Sequence, residues 1–96
     1  MKTVKQPKSS ELNNLYEAVL QLGSVAECKK FFRDLCTTSE IAAMSERLQV
    51  VKMVIEEIPY REISKKTGSS TATITRIAHW LHHGKGGYKL VLDRMK

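Results

Sequence analysis

The 96-residue chain carries 16 Lys and Arg against 10 Asp and Glu, a formal net charge of +6, with 42% hydrophobic residues. A chain this short makes one domain and buries only about 60 to 65% of its unfolded surface, so its own core is modest and a second chain is expected to add to it. It has no run of about twenty apolar residues and no charged-apolar-cleavage pattern at its start, which excludes a membrane span and a secretory signal and predicts a cytoplasmic protein.

Residues 1–9 carry Lys2, Lys5 and Lys8, one proline and no hydrophobic period, the composition of a flexible basic arm. Residues 10–96 are expected to form a single helical domain. Ser10 precedes Leu12, Leu15, Tyr16, Val19 and Leu22, an amphipathic helix that stops at Gly23. Ser24 and Glu27 have the spacing of a capping box for a second helix, whose apolar face is Val25, Cys28, Phe31, Phe32 and Leu35. Cys28 and Cys36 match no redox or zinc spacing and are expected as reduced thiols without a disulfide. Thr37 and Glu40 repeat the capping spacing before the longest periodic segment. There Ile41, Met44, Leu48, Val51, Ile55 and Ile58, widened by Val50 and Val54, form a stripe that Pro59 is expected to end. So long a stripe predicts that part of it packs on a second copy.

Residues 60–81 read as a helix-turn-helix. A short helix from Tyr60 to Lys66 turns Ile63 inward and Arg61, Glu62, Lys65 and Lys66 outward, and Thr67, Gly68 and Ser69 break the period. The following helix repeats Ile74, Ile77, Ala78 and Leu81 on one face, leaving a small, polar leading end. That end suits entry into a DNA major groove; an ordinary helical hairpin with a solvated face is the alternative. Charge separates the two. From Pro59 to Lys96 eight basic side chains stand against two acidic ones, whereas residues 11–58 hold five basic and eight acidic. Positive charge gathered on the helix-turn-helix half is the footprint of a polyanion partner.

The glycines of His82-His83-Gly84-Lys85-Gly86-Gly87 end this helix without matching a nucleotide-binding loop, and Tyr88, Val91, Leu92 and Met95 mark a last short helix. His79, His82 and His83 share a helical neighbourhood but have no carboxylate or thiolate aimed with them, so no metal site is expected. No nucleophile pairing or carboxylate pair emerges; the chain is not read as an enzyme, and no cofactor is expected.

Two features are distinctive together: Thr37-x-x-Glu40 opening a long helix that contains Arg47, and Arg61-Glu62-Ile63 followed by Ala72-Thr73-Ile74-Thr75-Arg76. Over about Thr37 to Leu81 this resembles the tryptophan repressor family. The resemblance implies an all-α fold of about six helices, an intertwined homodimer and two helix-turn-helix units presented to double-stranded DNA. It also implies a corepressor pocket that corresponds by position to Thr37, Arg47 and Arg76. Where the tryptophan-binding members carry glycine and serine, this chain has Ile77 and Trp80, whose added side chains are expected to occupy indole space. The implied protein is a transcriptional repressor that does not depend on tryptophan and whose effector, if any, is not specified by the sequence. Arg61, Ala72 and Thr73 are the expected base-edge contacts, and Lys65, Lys66, Ser69, Ser70 and Thr71 the expected backbone contacts, with Thr75 and Arg76 on the same helix. An adaptor docking an acidic protein, or a DNA-binding accessory of replication, are the alternatives for the same fold.

Overall fold

The computed structural model describes residues 6–96, which form six helices and no strand. Part of the expected basic arm, residues 1–5, lies outside the described residues. The chain divides into two compact units, with the boundary in sequence between Thr37 and Thr38.

The first unit contains α1 (Ser9–Leu20) and α2 (Val25–Leu35). α1 opens one residue before Ser10, and the Lys8 backbone N–H donates to Glu11 Oε2 at 3.2 Å, so a carboxylate of the first turn holds the helix start. At α2 the Glu27 N–H donates to Ser24 Oγ at 3.1 Å, while Glu27 Oε1 accepts from the Gly23 N–H at 2.7 Å. The reciprocal cap read from the spacing is present with its carboxylate arm displaced by one residue. Phe31 and Phe32 meet edge to face with centroids 5.7 Å apart, and Cys28 and Cys36 are free, half-buried thiols. Neither helix contains a buried residue.

The second unit contains α3 (Thr38–Ile55), α4 (Tyr60–Thr67), α5 (Thr71–His83) and α6 (Gly87–Arg94). α3 packs against the other three. Val50 and Val51 from α3, Ile63 from α4, and Ile74 and Ile77 from α5 make the core, with Met53, Val54, Ile58, Leu81, Tyr88 and Leu92 around it.

α3 ends earlier than Pro59, and by a different device. Glu57 takes a left-handed conformation (φ 62°), its N–H donating to the Val54 carbonyl at 3.0 Å and the Ile58 N–H to the Met53 carbonyl at 3.1 Å. This pair of bonds is a Schellman closure made without glycine. It turns Ile58 back onto the core and leaves Pro59 free to begin α4, where its carbonyl accepts from Glu62 and Ile63. At the far end of α5, Gly84 is required by close approach: a Cβ there would lie 2.4 Å from the Trp80 carbonyl oxygen.

Candidate nucleic-acid interface

The reading head is built from the inside outward. α4 seals Ile63 into the core at 0% exposure and leaves Arg61, Glu62, Lys65 and Lys66 on the surface. At its end Thr67 Oγ1 donates to the Ile63 carbonyl at 2.7 Å and accepts from the Ser69 N–H at 3.2 Å. Gly68 takes φ 81°, a left-handed turn that a Cβ would strain, and its N–H donates to the Ser64 carbonyl. Ser70 caps α5: its Oγ accepts from the Thr73 N–H at 3.1 Å and donates to Thr73 Oγ1 at 3.0 Å.

α5 buries Ile74, Ile77 and Ala78 along one side. Helical spacing places Ala72, Thr75, Arg76 and His79 on the opposite side, and all four are exposed. Thr71 and Ser70 are exposed at the leading end, and Thr75 Oγ1 donates to the Thr71 carbonyl at 2.9 Å. The structure therefore brings Arg61, Lys65, Lys66, Ser70, Thr71, Ala72, Thr75 and Arg76 to the accessible surface of one helix-turn-helix. Thr73 is half-buried, its hydroxyl engaged by Ser70.

Ser69 departs from the expectation of a backbone contact. It is only 8% exposed, and its hydroxyl donates to Glu46 Oε1 on α3 at 2.8 Å. With its N–H given to Thr67, its polar hydrogens are committed inside the protein.

Beneath the reading head, between α3 and α5, a cleft of about 360 Å³ is lined by Ala43, Glu46, Arg47, Ser69, Thr73, Arg76, Ile77 and Trp80. Arg47 and Arg76 do share this cleft, as the resemblance implied, and Arg47 Nε donates to the Ala43 carbonyl at 3.4 Å. Thr37, the remaining residue of the implied pocket, belongs to the first unit. Ile77 and Trp80 line the cleft without filling it. Ile77 is 7% exposed because its side chain joins the core, and Trp80 is 59% exposed.

Glu46 is the residue that sequence reasoning missed. Its signal was position: it stands one helical turn before Val50 on the same side of α3, a carboxylate at the head of a buried stripe. His79 and His83 have ring centroids 4.8 Å apart, and the His79 ring meets Trp80 edge-on. Among the described residues no group of three or more His, Cys, Asp or Glu is arranged to hold a metal ion, and no helix is long and apolar enough to cross a membrane.

Two short helices about a glycine turn, the second serine-capped and bearing a small polar side on a basic surface, define a helix-turn-helix of the DNA-binding type. The comparison with known proteins gives the family: the model of the Trp repressor protein matches residues 10–96, and the chain belongs to that family. It is 42% identical over 89 residues to the uncharacterized protein YerC of Bacillus subtilis, covering 93% of this chain and 86% of that protein. A TrpR-like protein from Eubacterium eligens superposes with a TM-score of 0.87 at 41% identity, over 92% of this chain and 91% of the other. A proposed Trp repressor from Staphylococcus aureus superposes with a TM-score of 0.86 at 43% identity, over 92% and 88%.

Proposed function

We propose that this protein is a homodimeric, sequence-specific DNA-binding repressor of transcription that occupies its operator without tryptophan. The observation that carries the reading is the exposed side of α5, Ala72, Thr75 and Arg76, flanked by Arg61, Lys65 and Lys66 on α4 and held rigidly by a turn whose polar groups bond one another. Inserted in a major groove, such a helix places its leading residues against base edges. Arg61 has the fork to address guanine O6 and N7, Ala72 offers a methyl to thymine, and Thr73 and Thr75 add short hydroxyl side chains beside it. Lys65, Lys66, Ser70, Thr71 and Arg76 hold the phosphates on either side.

A homodimer is supported by α1 and α2, where Leu15, Tyr16, Val19, Leu20, Val25 and Leu35 are all exposed in the single chain. That much apolar surface is the material of an interface between copies. A two-fold pair of reading heads would address half-sites about one helical turn of DNA apart.

Independence from tryptophan rests on the cleft. Glu46 lines the cleft together with Arg47 and Arg76, so the cleft already holds a carboxylate of the protein's own. Trp80 further lines the space with an indole of the protein's own.

Selection from a randomised duplex pool tests the reading, followed by titration of the enriched duplex at increasing salt. A dimer neutralising about six to ten phosphates gives log K falling with log salt at a slope of roughly −5 to −9. Absence of duplex affinity at low salt would favour an adaptor that docks an acidic protein.

A further inference from the structure

Ser69 is the one buried polar residue among those described, and its bond to Glu46 is a side-chain hydrogen bond joining positions 23 apart in sequence. The other polar contacts of the turn are local: Thr67 with Ile63 and Ser69, Gly68 with Ser64, Ser70 with Thr73. They fix the shape of the turn. They do not fix where the turn stands on α3. Apolar packing of Ile63 and Ile74 on Val50 and Val51 holds the reading head to α3, but such packing is non-directional and tolerates small rotations. A hydrogen bond has direction, and one that a carboxylate accepts is shorter and stronger than a neutral one.

We propose that Glu46 and Ser69 form a built-in brace that sets the angle of the recognition helix α5 on α3, and thereby the register of its side chains on base edges. Glu46 is a positioning residue for DNA recognition and acts through Ser69. Its place in the chain suits the role: it lies one turn before Val50, so brace and core anchor follow each other along one side of α3. Its place in the cleft matters as well. The brace spans the wall between α3 and the start of α5, so the protein fixes by its own side chains an arrangement that would otherwise need a ligand bound between these helices.

The inference rests on the DNA-binding reading and separates from it by experiment. Wild type, Ser69→Ala, Glu46→Ala, the double variant and Glu46→Gln are titrated with the duplex that wild type enriches from a random pool, and with a scrambled duplex. Ser69→Ala changes no charge. It is expected to lower the ratio of enriched to scrambled affinity about tenfold, the scale of one hydrogen bond to a charged group, while scrambled-duplex affinity stays within about twofold. Glu46→Ala raises affinity for both duplexes by removing a negative charge but lowers their ratio by the same factor, and the double variant lowers it no further. Glu46→Gln is expected to keep a ratio between those of wild type and Glu46→Ala, because its amide oxygen still accepts from Ser69 but as a neutral group.

Hydrogen exchange of the Gly68 to Thr73 amides gives a second readout, independent of DNA, and is expected to quicken in Ser69→Ala. A wild type that selects a duplex, with an unchanged ratio in folded Ser69→Ala or with additive losses in the double variant, overturns the brace alone. A wild type that binds no duplex overturns the brace as a DNA-positioning device together with the reading beneath it. Unchanged amide exchange removes the brace even as a feature of the fold.

Discussion

The unit Thr38–Lys96 and the helix pair before it use similar proportions of apolar sequence in opposite ways. α3, α4 and α5 drive Val50, Val51, Ile63 and Ile74 to zero exposure, whereas α1 and α2 bury no residue and leave Leu20 and Val25 at 79% and 75%. A helix pair with capped ends and an unmatched apolar side is stable only against something else, since the isolated helices of this length are marginal in water. In the proposed homodimer the two regions do different work: one carries the helix-turn-helix on a core of its own, and the other offers the surface for a second copy.

The strongest way to break the contrast is a charge in the core. Val51→Asp places an unpaired carboxylate at a fully buried position and is expected to cost several kcal/mol, enough to unfold the unit at room temperature; far-ultraviolet circular dichroism and a urea melt read it. The same chemistry in the first unit has a different consequence. Leu20→Asp with Val25→Asp leaves the single chain's core untouched, but removes apolar contacts worth about 1.5 to 3 kcal/mol each from an interface. Sedimentation is expected to show a dimer for wild type and a folded monomer for this variant. A wild type that sediments as a monomer at micromolar concentration would dissolve the assignment.

On the reading head the effects are smaller and more specific. Arg61→Ala is expected to lose about 1 to 3 kcal/mol of operator affinity and relax preference at one base position, while Lys65→Ala weakens every duplex alike. Selection with each variant distinguishes them, and identical motifs from wild type and Arg61→Ala would demote Arg61 to a phosphate contact. The smallest expected change is a gain. Glu57→Gly relieves a left-handed backbone at φ 62° and is expected to stabilise the unit by about 0.5 to 1 kcal/mol, visible as a raised urea midpoint with an unchanged slope.

These regions also differ in how much of them could be read beforehand. Helix-turn-helix boundaries, the Ser24 cap and the inward side of α5 are set by interactions within about four residues, so periodicity and cap chemistry reported them. The partnership of Ser69 with Glu46 was illegible because a serine after a turn glycine equally suits a phosphate, and only folding brings α3 against it. Glu57 hid the end of α3: a charged residue in a left-handed Schellman position gives no sign in sequence, and Pro59 two residues later drew the boundary toward itself. Ile77 was expected to occupy the implied pocket, but its helical phase sends it into the core, and the cleft lined by Arg47 and Arg76 persists.

Operator titration with and without L-tryptophan tests the central claim most directly. The duplex enriched by wild type is titrated with the wild-type protein at zero and at millimolar tryptophan. A tryptophan-independent repressor gives wild-type affinities that agree within about twofold in the two conditions, because a ligand without differential affinity for the DNA-competent state shifts nothing. A wild type whose operator affinity rises tenfold or more on adding tryptophan, with matching calorimetric binding, would contradict the account.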